Sequence, residues 1–316
     1  MNSRAAPIPI LVVAGPTASG KSALALHLAE TLLGTIINAD SMQVYRHLPI
    51  LTAQPNASSR ARAPHLLYGM VDEADAFSAG QWRGRAVAEI AAVRAAGRLP
   101  ILAGGTGLYL KVLIEGIAPV PRIPTAIRDE ARTLHAALGP AAFHAALARI
   151  DPAAAARLAP GDRQRVVRAY EVVAATGHPL AEWQAASPAP EAGFDATLIL
   201  LLPPRAPLYE ACDARFLRML DEGAETEVEA LLDRGLDPAL PAMRALGVGE
   251  LARWKRGEIT QGNAIAAAQQ AIRNYAKRQY TWFKHQIKPG PGQRVRTIDA
   301  QFSERILPEV YSFIRH

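Results

Sequence analysis

Cysteine is almost missing: Cys212 is the single thiol in 316 residues, which excludes an internal disulfide and any zinc site built from this chain's own cysteines. The eight histidines show no metal-ligand spacing, so no zinc is expected. Aromatic residues are also scarce, and the apolar share leans on alanine, which predicts long helices. Long apolar runs are lacking too. Ile10–Ala14 is too short for a signal-peptide core or a membrane span, and the stretch before it carries one arginine and two prolines. A cytoplasmic protein with no membrane partner is the expectation. Acidic residues thin out late in the chain: from Arg253 to Lys288 eight basic residues face one acid, Glu258. With a formal charge of +6 and a pI near 9.6, this excess points to a polyanionic partner.

What is present begins with a strand. Ile10–Ala14 (ILVVA) is continuously apolar and ends in Gly-Pro, as a parallel strand buried on both faces reads. From Ser22 to Leu33 apolar residues recur at helical spacing, and Gly34 reads as the stop. Thr35–Ala39 is the next strand, Ser78 and Gln81 form a capping box for a helix ending before Gly97, and Leu99–Ala103 is a third strand. The alternation predicts an α/β fold with a parallel sheet flanked by helices. Pro119, Pro121 and Pro124 then lead into an all-helical insertion, 119–195, with helices over Thr125–Leu138, Pro140–Ile150, Pro152–Leu158 and Asp162–Ala175. Ala185–Gly193 reads as the return linker, Thr197–Leu202 as a strand rejoining the sheet, and Pro207 as the start of a helix. The core is thus expected to comprise 1–118 and 196–316, its last third helical, with a long helix from about Asn263 to His285.

Gly15-Pro16-Thr17-Ala18-Ser19-Gly20-Lys21-Ser22 is a complete G-x-x-x-x-G-K-[ST] pattern between a predicted strand and a predicted helix. Its glycines let successive N–H groups turn inward, and with the helix N-terminus they form a cradle for phosphate oxygens. Lys21 supplies a point charge, and the Ser22 hydroxyl is placed to ligate Mg2+. The motif alone does not separate kinases, ATPases and transferases with a phosphate leaving group. Asp40 follows the strand Thr35–Ala39, which is expected to neighbour the P-loop strand. Its carboxylate there could hold Mg2+ through water, accept a proton, or simply shape a turn. Gly104-Gly105-Thr106-Gly107 is either a second binding loop at the same edge or a plain turn. Leu99–Ala103 lacks the terminal aspartate of a Walker B strand, which weakens the case for an ordinary NTPase.

GPTASGKS, DSMQVYR, GGTGLYLK, the DRQRVVRAYEV and TGHPL block and AKRQYTWFK occur in the order found in tRNA dimethylallyltransferases, and on these segments the chain resembles that family over nearly its whole length. The resemblance implies a P-loop NTPase-like core whose loop holds the diphosphate of dimethylallyl diphosphate. The implied acceptor is N6 of adenine 37 in the anticodon stem-loop of tRNA, flipped out of its stack. It makes Asp40 the general base, has Lys21, Ser22 with Mg2+ and the loop amides neutralise the leaving group, and places Thr17 and Arg215 at the diphosphate. It assigns RNA contacts to Asp40, Ser41, Met42, Gln43, Thr106, Arg128, Gln164, Arg165, Val166, Val167 and Arg168, and implies no obligate protein partner. Read without it, Arg215 fits a surface ion pair, Arg165 and Arg168 fit a solvated helix face, and Tyr275, Trp282 and Phe283 fit an amphipathic helix docked on the sheet, with Lys277 and Lys284 free for phosphate.

The sequence departs from the family pattern in three places. Gln54 stands where a lysine is usual, Leu66 replaces the second histidine of Pro-His-His, and Val248 replaces a tyrosine after Leu246-Gly247. The resemblance is to the shorter bacterial type, without a zinc-finger extension.

Overall fold

The computed structural model describes residues 8–186, 193–287, 289–290 and 292–315. Most of the expected return linker and Lys288 of the basic stretch lie outside them. In chain order the elements are β1 (Ile8–Ala14), α1 (Lys21–Thr31), β2 (Gly34–Asn38), α2 (Ala57–Arg62), β3 (His65–Leu66), α3 (Ala79–Ala95), β4 (Leu99–Gly104) and α4 (Gly107–Glu115). They continue with α5 (Thr125–Ile150), α6 (Pro152–Arg157), α7 (Arg163–Thr176), α8 (Leu180–Ala185), β5 (Phe194–Leu201), α9 (Arg205–Asp221) and α10 (Ala224–Asp233). The chain ends with α11 (Val248–Lys255), α12 (Gln261–Gln286), β6 (Gln293–Ile298) and α13 (Leu307–Arg315). They form two compact units, Met1–Ile114 with Ala192–His316, and Glu115–Glu191.

The first unit is built on a parallel sheet of order β3-β2-β4-β1-β5-β6. The apolar runs of β1 and β5 have a simple cause. Ile10, Val12, Leu198 and Leu200 face one core, with Trp82 and Leu110, while Leu11, Val13, Ile199 and Leu201 face another, with Leu24 and Leu28. Both faces are dry, so alternation is lost. A third cluster packs α9, α10, α11 and α12 around Phe216, Val228, Leu251 and Ile272. The second unit holds its own core, in which Phe143 and Leu147 of α5 meet Val166 and Ala169 of α7.

Several expectations need correction. The strand that Asp40 follows does not neighbour the P-loop strand: β4 lies between β2 and β1, a strand order that apolar runs cannot reveal. The left-handed residue after α1 is Leu33, at φ 52°. Gly34 instead opens β2, where an added Cβ would meet Ile101 Cδ1 at 2.5 Å. The helix after β5 begins at Arg205, two residues before Pro207. The final third is not purely helical, because β6, reading QRVRTI, pairs in parallel with β5. Its polar residues match an edge strand. The capping box forms as expected, with Ser78 Oγ accepting from Gln81 N and Gln81 Oε1 accepting from Ser78 N. In the insertion the first two expected helices join at Gly139, whose φ of 73° keeps the kink between them.

Candidate active site

The turn from β1 to α1 forms a tight loop. Ala18 adopts φ 62° and Gly20 φ 85°, left-handed angles that turn the peptide planes as a nest of inward N–H groups requires. The segment after β6 straps this loop down: Phe302 N donates to Ser19 O at 3.1 Å and Gln301 Nε2 donates to Ala18 O at 3.1 Å. Lys21 is 8% exposed, and its Nζ donates to Pro16 O at 3.3 Å. Burial pulls its pKa from 10.5 to about 8. Arg215 adds to the fall, and Asp40 opposes it. Arg215 Nη1 donates to Thr17 Oγ1 at 3.0 Å, and burial lowers its own pKa as well. Two cations held beside the P-loop, with Ser19 Oγ buried and unpartnered there, make a site short of negative charge. Ser22 sits exposed in the first helical turn.

A second loop region is assembled from the ends of β2 and β4. Asn38 anchors the turn, its Oδ1 accepting from Asp40 N at 2.8 Å and its Nδ2 donating to Asp40 O and Leu67 O. Asp40 Oδ1 accepts from Met42 N at 3.0 Å. Ser41 N donates to Thr106 Oγ1 at 2.9 Å, so the second glycine loop fixes the Asp40 turn. Gly104 is necessary at this crossing, because an added Cβ would lie 2.1 Å from the Ala39 carbonyl. Between the two loops stands Gln279, only 6% exposed. Its Oε1 accepts from Thr17 N at 2.8 Å and its Nε2 donates to Gly105 O at 2.8 Å.

This geometry can be set beside known proteins. The profile described as IPP transferase matches residues 43–286, and a tRNA dimethylallyltransferase of Rhodospirillum centenum is 57% identical over 280 residues, 88% of this chain and 89% of that one. The chain belongs to the IPP transferase family. A Rhodospirillum rubrum member is 53% identical, covering 97% of this chain and 94% of its own. Among solved structures, the tRNA isopentenylpyrophosphate transferase of Bacillus halodurans superposes with a TM-score of 0.68 at 30% identity, covering 98% and 96% of the two chains. A eukaryotic dimethylallyltransferase acting on tRNA superposes at 0.81 and 26% identity, covering 97% of this chain and 79% of that one. The P-loop and Asp40 precede the residues the family profile matches, whereas Gln279 falls within them.

Other family-derived positions divide by exposure. Gln43 is buried, its Nε2 donating to Thr52 O and Ala53 O at 2.8 Å each, and Met42 packs against the third core cluster. Gln54, at the usual lysine position, donates Nε2 to Tyr45 O at 2.6 Å, so its amide is spent inside the loop. In the helical unit, Arg128, Gln164 and Arg165 are exposed. Arg165 pairs with Asp162 and Arg168 with Glu171, both at 3.5 Å, while Val166 and Val167 are buried in that unit's core and present no side chain to a ligand. The late basic excess is narrower in space than in sequence. Lys255 pairs with Glu225 and Glu229, Arg253 and Arg256 with Glu258, and Arg273 with Asp213. Lys277, Arg278 and His285 line an open groove along α12 with Trp282.

His47, Asp72 and Glu73 bring three metal-capable atoms within 4.8 Å of one another. Arg234 pairs with both carboxylates, so a guanidinium already supplies the positive charge there. Among the described residues no helix is long and apolar enough to cross a membrane.

Proposed function

We propose that this family member transfers the dimethylallyl group of dimethylallyl diphosphate to N6 of the adenine next to the anticodon in tRNA, releasing diphosphate. The observation that carries the reading is the juxtaposition, at one edge of the sheet, of a complete P-loop and the Asp40 turn, joined through Gln279 and Thr106. The named relatives act on tRNA or are tRNA dimethylallyltransferases. An allylic carbon ionises readily once its leaving group is neutralised, so the protein's main task is electrostatic. Lys21 and Arg215, with the P-loop N–H groups not already bonded within the protein, hold the diphosphate oxygens.

The exposed Ser22 hydroxyl, in the first turn of α1, offers a hard oxygen donor that suits Mg2+. Bound there, the ion would add positive charge to the diphosphate. The adenine N6 lone pair forms the new bond to the prenyl C1 as the C1–O bond breaks, its electrons leaving with the diphosphate. Asp40 then takes the surplus N6 proton. Exposed Arg128, Gln164 and Arg165 of the helical unit, and Lys277 of α12, are the proposed contacts to RNA phosphate or bases.

The test is to incubate the protein and Mg2+ with unmodified tRNA and either dimethylallyl diphosphate or ATP, then digest the RNA and weigh the nucleosides. A prenyl mass gain on adenosine that needs only the first donor is expected. ATP-dependent phosphorylation without it would overturn the reading in favour of a kinase.

A further inference from the structure

Gln279 has no assigned role, yet its surroundings are specific. On α12 the inward-facing stripe runs Ala264, Ala268, Ile272, Ala276, Gln279, Phe283, so a polar amide occupies a position that the helix otherwise fills with apolar side chains. A buried amide survives there only if its hydrogen bonds are made. Its carbonyl serves the donor loop at Thr17 N, and its NH2 serves the acceptor loop at Gly105 O. The fit is close: a Cβ at position 105 would stand 2.3 Å from Gln279 Nε2 and 3.3 Å from Asp40 Oδ2. The Tyr275 phenol, one turn earlier, faces both Thr106 and Gln279, and burial raises its pKa. The partners lie 262 and 174 residues away in the chain, so this one side chain of α12 touches both loops.

We infer that Gln279 is a positioning residue that sets the distance between the donor diphosphate and the Asp40 turn, so that its loss impairs the chemical step rather than the binding of either substrate. Its two hydrogen bonds have opposite polarity, which makes the inference testable. In Gln279→Glu the retained carboxylate oxygen still accepts from Thr17 N. The other oxygen, when ionised, faces the Gly105 carbonyl and repels it; protonated, it donates to Gly105 O as the amide did. Burial favours the protonated form and pushes such a carboxyl's pKa upward. The variant's deficit is therefore expected to grow as pH rises.

The inference rests on the proposed reaction, so wild-type enzyme with Mg2+, tRNA and dimethylallyl diphosphate is the control. If it transfers no prenyl group, the functional reading fails, and with it this one. Given wild-type turnover, single-turnover rates at saturating substrates and separate dissociation constants for dimethylallyl diphosphate and tRNA are measured across pH 6–9. We expect Gln279→Glu to lose roughly 10-fold or more in single-turnover rate at the alkaline end, and to recover most of it at the acid end relative to wild type. Both dissociation constants should stay within about 3-fold of wild type. Gln279→Met, which can make neither hydrogen bond, should show the same loss without the pH dependence. A wild-type rate in either variant at alkaline pH would overturn the inference. So would a Glu variant whose deficit does not change with pH, or a loss matched by weaker donor binding alone.

Discussion

The Lys21 ammonium offers a quantitative check on the donor site. Its pKa of about 8, against an ordinary 10.5, arises chiefly from burial, with Asp40 opposing the fall and Arg215 adding to it. The proposed diphosphate ligand would need the protonated form. Below pH 8 the site is charged and affinity should be flat; above it, each further pH unit should weaken binding about 10-fold as the charged fraction falls. Between pH 7 and pH 9 the dissociation constant for dimethylallyl diphosphate should therefore rise by about an order of magnitude. The ligand does not supply this trend, since a terminal phosphate completes its ionisation near pH 6. Equilibrium dialysis with labelled dimethylallyl diphosphate measures the effect directly. A Lys21→Arg variant, always charged, should show a weaker but flatter profile. Stability should move the opposite way. The folded pKa lies below the unfolded one, so between pH 8 and 10.5 the unfolded chain binds more protons and folding becomes more favourable as pH rises. Burying the charged lysine costs the fold about 3 kcal/mol at pH 7. Lys21→Met should then raise the urea midpoint at pH 7 while abolishing donor binding. A dissociation constant that stays level to pH 9.5 in the wild type, or a Met variant less stable than wild type, would refute the account.

Asp40→Ala should lower the single-turnover rate by about 100-fold or more while the tRNA dissociation constant changes little, and near-normal turnover would remove Asp40 from the base role. Gly20→Ala places a Cβ 2.6 Å from Phe302 Cβ at a φ of 85°; urea unfolding should show a loss of about 2–4 kcal/mol from strain and overpacking, with weakened donor binding. Removing Lys277 should reduce the slope of log affinity for tRNA against log salt by about 0.7–0.9. Removing Lys255, already held by Glu225 and Glu229, should leave that slope unchanged. Filter-binding titrations at several salt concentrations separate the two.

Much of the fold was legible because its causes are local. A strand buried on both faces must be apolar throughout, and β1, β4 and β5 were readable for that reason. Capping is equally local, and Ser78 with Gln81 reported the start of α3. Failures followed where the cause was distant. β6 is polar because it lies at an edge, and only its neighbour β5 makes it a strand. His65–Leu66 is too short to carry a pattern. The position of β4 between β2 and β1 is a matter of chain path, although Gly104 was a trace of it, since the glycine is there to let β4 press against Ala39.

Within the candidate site, the sequence motifs supplied parts but not their linkage. Lys21 and Ser22 stand in a motif whose spacing points to phosphate binding, and Asp40 takes its expected role from the family resemblance, whereas the groups that touch their loops come from remote segments. Arg215 reaches Thr17 from α9, Gln301 and Phe302 strap the loop from beyond β6, and Gln279 bridges two loops from α12. Of these only Gln279 left a signal in its own neighbourhood, as a polar residue on an apolar helical stripe. That signal has an energetic basis. An unpaired buried amide costs about 1–3 kcal/mol per group, so an amide placed in such a stripe implies partners on facing elements. Here the partners belong to two loops, the Thr17 turn of the P-loop and the Gly105 turn beside Asp40.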